Sequence, residues 1–140
     1  MALRNAGFDP TRPTAWIIEG LMIGYLPGDA QDRLLGQVTA LAAPGSRLAA
    51  DHLPADSPSI GSLIGNVAQT WKQSGFEVNF GNLTYPHDRS DAENYLKSHS
   101  WFVSGHTIID LLAAAEVSTH SLNTSAELHG AIHYLTATKG

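Results

Sequence analysis

Three residues at two points of the chain combine a type and a placement that could do chemistry: Glu19, and the pair Asp51-His52. Glu19 is the single charge in the apolar stretch Pro13-Thr14-Ala15-Trp16-Ile17-Ile18-Glu19-Gly20-Leu21-Met22-Ile23-Gly24-Tyr25-Leu26-Pro27. Asp51-His52 closes a second apolar stretch centred on Leu48-Ala49-Ala50. If the two stretches are neighbouring parallel strands, two acids and a histidine stand on one rim. In an open α/β sheet, ligands bind in the crevice beyond the carboxyl ends of the strands, and Gly20 leaves the backbone free to turn there. Glu19 is therefore a candidate ligand contact. The plainer reading is a solvated carboxylate that caps a turn where the chain leaves the sheet.

The elements that must position these residues follow from periodicity. Ala15 to Ile18 is too short to span a membrane and reads as a strand buried on both faces, with Glu19 at its end. Gly28 or Asp29 caps a helix with a stripe of Leu34, Leu35, Val38, Leu41 and Ala42, which Pro44-Gly45 ends. Ser46 to Leu53 is the second strand. Before these, Ala2 to Gly7 reads as the last turn of a helix closed by glycine, which suggests that something precedes it.

Beyond Pro54, the apolar positions Ile60, Leu63, Ile64, Val67 and Trp71 mark a helix face weakened by Gly61 and Gly65. Packing is the first reading of that face and a lid over a site the second. Phe76 to Tyr85 reads as extended. Ser90-Asp91-Ala92-Glu93 has the pattern of a capping box, so Asp91 to about His99 is a helix with Tyr95 and Leu96 inward. Trp101-Phe102-Val103 is a short buried strand, Thr107 to Asp110 starts a helix that ends in alanines 113 to 115, and Gly130 to Thr138 closes the fold as a strand. The order predicts an α/β sheet with Ala15–Ile18 parallel to Arg47–Asp51, and Gly130–Thr138 antiparallel to Trp101–Val103.

Composition removes whole classes of function. A net charge of −5 with no run of Lys or Arg offers no stripe for phosphates, so nucleic acid and anionic membranes are poor partners and a neutral or cationic small molecule fits better. Without cysteine there are no disulfides, thiolate nucleophiles or Cys-based zinc sites. Residues 1 to 13 lack the apolar core of a signal peptide, and a cytoplasmic location is the expectation. Seven histidines raise a metal reading, but there is no His-Glu-x-x-His, and His129 with His133 lies in a stretch read as strand, so no metal is assigned. Gly-x-Ser-x-Gly, Walker and Gly-x-Gly-x-x-Gly motifs are all missing.

Several stretches also carry a family resemblance. Ala2-Leu3-Arg4-Asn5-Ala6-Gly7-Phe8-Asp9-Pro10, Pro13-Thr14-Ala15-Trp16-Ile17-Ile18-Glu19-Gly20-Leu21, Tyr25-Leu26-Pro27 and Ala30-Gln31-Asp32-Arg33-Leu34 resemble mycobacterial S-adenosyl-L-methionine-dependent methyltransferases related to leucine carboxyl methyltransferases. Pro44 to Ala49 and Leu96 to Trp101 continue it. The resemblance implies a class I, Rossmann-like methyltransferase fold of which residues 1–140 are the C-terminal half, a single partial domain. The glycine loop and ribose-binding acid of that family would precede Met1, and the N-terminal cofactor-binding part is absent. Of the family's S-adenosyl-L-methionine contacts, one transfers, onto Glu19. Gly24 lengthens the following loop relative to the family's commoner spacing.

The resemblance thus implies methyl transfer from S-adenosyl-L-methionine to a small-molecule acceptor that the sequence does not specify, a carboxylate being the candidate. Methyl transfer needs chiefly an in-line approach in a dry pocket, so no catalytic acid or base is assigned. The alternatives are a non-catalytic fragment or binding module, and a structural remnant. Half a doubly wound sheet leaves a strand edge and apolar faces open, so the chain is expected to self-associate or to pair with the missing N-terminal half.

Overall fold

The computed structural model describes residues 2–54, 57, 65, 72–73, 75, 85, 89–118 and 130–140. In chain order the elements are α1 (Ala2–Asn5), β1 (Ala15–Met22), α2 (Gly28–Leu41), β2 (Arg47–His52), α3 (Ala92–Ser98), β3 (Trp101–Thr107), α4 (Ile108–Ala114) and β4 (His133–Lys139). The strands form one sheet in the order β1-β2-β4-β3. As the apolar order predicts, β1 and β2 are parallel, with Ala15 opposite Arg47 and Ile18 opposite Ala50. β4 runs antiparallel to both β2 and β3. The short N-terminal helix and its glycine also form as read, with Gly7 at φ +93° after Asn5.

One face of this sheet carries the core. Ile18, Met22, Leu48, Ala50, Trp101, Leu135 and Ala137 pack there against Leu35 and Val38 of α2 and Ala92 and Leu96 of α3. Polar clasps fix the two helices to each other and to the sheet. The Gln31 amide donates to the Ser90 carbonyl, the Ser90 amide and hydroxyl both donate to Asp32, and the Trp101 indole donates to the Thr39 hydroxyl.

The other face corrects the reading of Ala15–Ile18 as buried on both sides. Ile17 is 77% exposed and Phe102, on the far edge of the sheet, 75%. Ala15, Ala49, Ser104 and Thr136 share this open face, whereas Trp16 and Ile18 turn to the core. A continuous apolar run satisfies two-sided burial and one-sided packing equally well, so the run alone does not decide between them.

Other boundaries shift for local reasons. β1 does not end before Glu19 but continues to Met22 through an irregularity, described below. α2 begins after Pro27, with no side-chain cap from Gly28 or Asp29. The α3 cap is Asp91, one residue later than the capping-box pattern places it: its carboxylate accepts from the Asn94 amide, while Ser90 is occupied by Asp32. A true capping box stands instead at Thr107 and Asp110, where α4 starts. β3 extends beyond Val103 to Thr107, and β4 begins only at His133, since Gly130 and Ala131 are helical. Of the lid or packing helix of Ile60 to Trp71 only Gly65 is described, and the extended stretch before Tyr85 and His129 lie outside the described residues.

Candidate functional site

The irregularity in β1 builds the site. Between Ile18, opposite Ala50, and Met22, opposite His52, β1 spends two more residues than β2. Gly20 absorbs them with a left-handed φ of +69°, a region open to glycine at little cost. Its amide turns to the neighbouring strand and donates to the Asp51 carboxylate, at 2.8 Å to Oδ1 and 3.1 Å to Oδ2. Glu19 sits at the start of the bulge, exposed on the open face.

Directly across from Asp51 on β4 is Tyr134. Glu19, Asp51 and Tyr134, with Ile17, Ala49 and Thr136, line an open hollow of about 380 Å³, and Leu111 of α4 bounds it too. Burial raises the Tyr134 phenol above its ordinary pKa, and the charges of Asp51 and Glu19 push it further the same way. The hollow therefore offers two carboxylates, a protonated phenol and apolar walls on the open face of the two parallel strands. That set favours a ligand with a cationic centre and an apolar body.

The expected rim of two acids and one histidine is split by strand alternation. Glu19 and Asp51 both line the hollow, whereas His52, the next residue along β2, faces the covered side and is 2% exposed. There it meets Glu93 of α3, with Nε2 3.6 Å from Oε1, and the ring of His133, its partner on β4, edge-on at 5.9 Å. Asp51 was legible as a rim acid, but Tyr134 lies in the closing strand with no motif to mark it, and its pairing with Asp51 depends on register. The linear metal motifs did not reach His52, Glu93 and His133, because three separate elements bring them together.

The fold defines the class: an α/β sheet of the open kind, with an acid-lined hollow on its uncovered face as the candidate ligand site. The comparisons with known proteins are more particular. Residues 1–39 match the family model described as "Leucine carboxyl methyltransferase". A protein of Mycobacterium avium named "Putative S-adenosyl-L-methionine-dependent methyltransferase" is 48% identical over 117 residues, 81% of this chain and 37% of that protein. A relative in Mycolicibacterium smegmatis is 41% identical over 99% of the chain and 45% of its own length. One in Mycobacterium ulcerans is 45% identical over 95% of the chain and 44% of its own length. The chain is thus similar in sequence to these mycobacterial proteins, and it spans less than half the length of the curated relatives it matches. The four-stranded sheet, with two parallel strands and helices between, accords with part of a Rossmann-like fold. Among the described residues, no helix is long and apolar enough to cross a membrane.

Proposed function

We propose that these 140 residues are the C-terminal part of an S-adenosyl-L-methionine-dependent methyltransferase domain and supply one edge of its cofactor pocket. The observation that carries this reading is Glu19: the acid singled out by the family resemblance lines the open hollow together with Asp51, where the regular pairing of the two parallel strands gives way to the bulge. S-adenosyl-L-methionine has an ammonium and a sulfonium, and the carboxylate fits the first as a charge-assisted acceptor and the second as a counter-charge. When bound, the cofactor supplies an electrophilic methyl group. Of this chain's residues, Glu19 would hold the charged end, and Ile17, Ala49 and Leu111 would exclude water from one side of the hollow.

The acceptor is a small molecule, with a carboxylate as its reacting group by analogy with the family's name. Neither nucleic acid nor a membrane surface suits a chain of net charge −5, and the cytoplasm is the compartment this reading favours. The remainder of the pocket is assigned to the portion of the relatives outside these residues. It would pair along β1, which is an edge strand of the sheet among the described residues. The alternative, a non-catalytic fragment or binding module, predicts that supplying that portion restores nothing.

The experiment is a fusion of these residues behind the N-terminal portion of a mycobacterial relative, titrated with S-adenosyl-L-methionine by calorimetry. Glu19→Gln is expected to weaken binding by roughly 1.5–3 kcal/mol, the scale of a hydrogen bond to a charged group. Unchanged affinity in that variant would return Glu19 to a solvated turn residue. A wild-type fusion that binds no cofactor would favour the fragment.

A further inference from the structure

On the covered side of the sheet, His52 presents a physical problem that the methyltransferase reading does not use. Its ring is buried and, among the described residues, neither nitrogen has a hydrogen-bond partner. Such a group is rarely left unsatisfied in a folded interior. Oε1 of Glu93 lies 3.6 Å from Nε2, beyond hydrogen-bond range. His133 closes the group from β4, and one ligand atom from each of the three residues lies within 4.8 Å of the other two.

We propose that His52, Glu93 and His133 bind a divalent transition-metal ion, with zinc the ion their ligand chemistry suits best. Two imidazoles and one carboxylate are a known zinc donor set, whereas magnesium and calcium prefer oxygen ligands alone. With all separations at or below 4.8 Å, some point lies within about 2.8 Å of all three atoms, so small side-chain rotations reach the zinc–ligand lengths of ~2.0–2.2 Å.

The surroundings fit a cation. Lys97 holds the other carboxylate oxygen of Glu93 at 3.0 Å, which fixes that side chain and leaves Oε1 facing the imidazoles. Gly105 of β3 lies against the same carboxylate, where any Cβ would overlap it. Burial favours the neutral form of His52, the form that binds metal, although the charges of Asp91 and Glu93 oppose that shift. A bound ion would tie β2, α3 and β4 together at one end of the sheet.

The test is titration of the purified 140-residue chain with zinc in competition with a chromophoric chelator, and with cobalt(II) as a spectroscopic probe. We expect one zinc per chain with micromolar or tighter affinity, a cobalt spectrum of low coordination number, and a zinc-dependent rise in melting temperature. Glu93→Gln and His133→Gln should each weaken binding at least tenfold. Gly105→Ala, which keeps all three ligands but displaces the carboxylate, should do the same, and His99→Gln at the exposed His99 should change nothing. Binding retained in the Glu93 and His133 variants, or no zinc bound below about 100 μM, overturns the proposal and leaves water as the partner of His52.

Discussion

Replacing Gly20 with alanine isolates the backbone geometry on which the candidate site rests. A Cβ built at Gly20 meets nothing within 4 Å, so the methyl itself costs no packing. The penalty is conformational, because φ is +69° and an L-residue in the left-handed region costs about 1–2 kcal/mol. Alanine also restricts the unfolded chain, which offsets some tenths of that. The alternative of turning residue 20 out of this region would break the amide bond to Asp51, a charged acceptor worth ~1.5–3 kcal/mol. Keeping the strain is therefore the cheaper outcome, and the net loss should be about 1 kcal/mol. Asparagine, which tolerates left-handed backbone, should lose about half as much. Equilibrium urea unfolding reads both, and ~1 kcal/mol corresponds to roughly 3–6 °C in melting temperature at this chain length. A neutral or stabilised Gly20→Ala would show that the bulge is not left-handed in solution and that Glu19 and Asp51 are not held as described.

The covered and open faces should respond unequally to truncation: Leu96→Ala, in the core, is expected to cost ~2–5 kcal/mol, and Ile17→Ala less than about 0.5 kcal/mol, by the same unfolding assay. Stability should also fall with acid. Burial depresses the pKa of His52, so below about pH 6.5 the unfolded chain takes up a proton that the folded chain resists. The His52 contribution is then complete above that pH and is lost as pH drops through the folded value. Urea midpoints measured with chelator present should be lower at pH 5.5 than at 7.5, and equal midpoints would contradict a buried neutral ring. Finally, sedimentation velocity should show association at tens of micromolar through the edge of β1, reduced by Ile17→Lys. A concentration-independent monomer would count against an exposed pairing edge.

Much of the fold was legible because chain order and apolar runs limit the topologies available. Two short runs separated by a helical stripe imply adjacent parallel strands, and β1 and β2 are so paired. Burial was less legible. Ile17 and Ile18 are chemically alike, yet one is 77% exposed and the other 5%, because what covers each face of a sheet is a tertiary fact. The α3 cap shows the same limit at short range. Ser90 and Asp91 are both competent caps, and the choice fell to Asp91 because Asp32, 58 residues away, takes Ser90. That one-residue difference also determines what Glu93 does. As the last residue of a Ser90 capping box it would turn back to the helix start, whereas with Asp91 as the cap it is available to face His52.

The same period-two alternation that hid the second cluster explains why two chemistries coexist at one sheet end. Asp51 and His52 are adjacent in β2, but a strand sends neighbouring side chains to opposite faces. Asp51 and its cross-strand partner Tyr134 thus share an open hollow with Glu19, where solvent reaches the carboxylates. His52 and its partner His133 meet Glu93 under α3, where the helix excludes solvent and an unpaired ring nitrogen has few ways to be satisfied. A carboxylate on the open face can be solvated by water, while a histidine on the covered face needs a partner within the fold. The open side is accordingly suited to a ligand that arrives and leaves, and the covered side to one that stays.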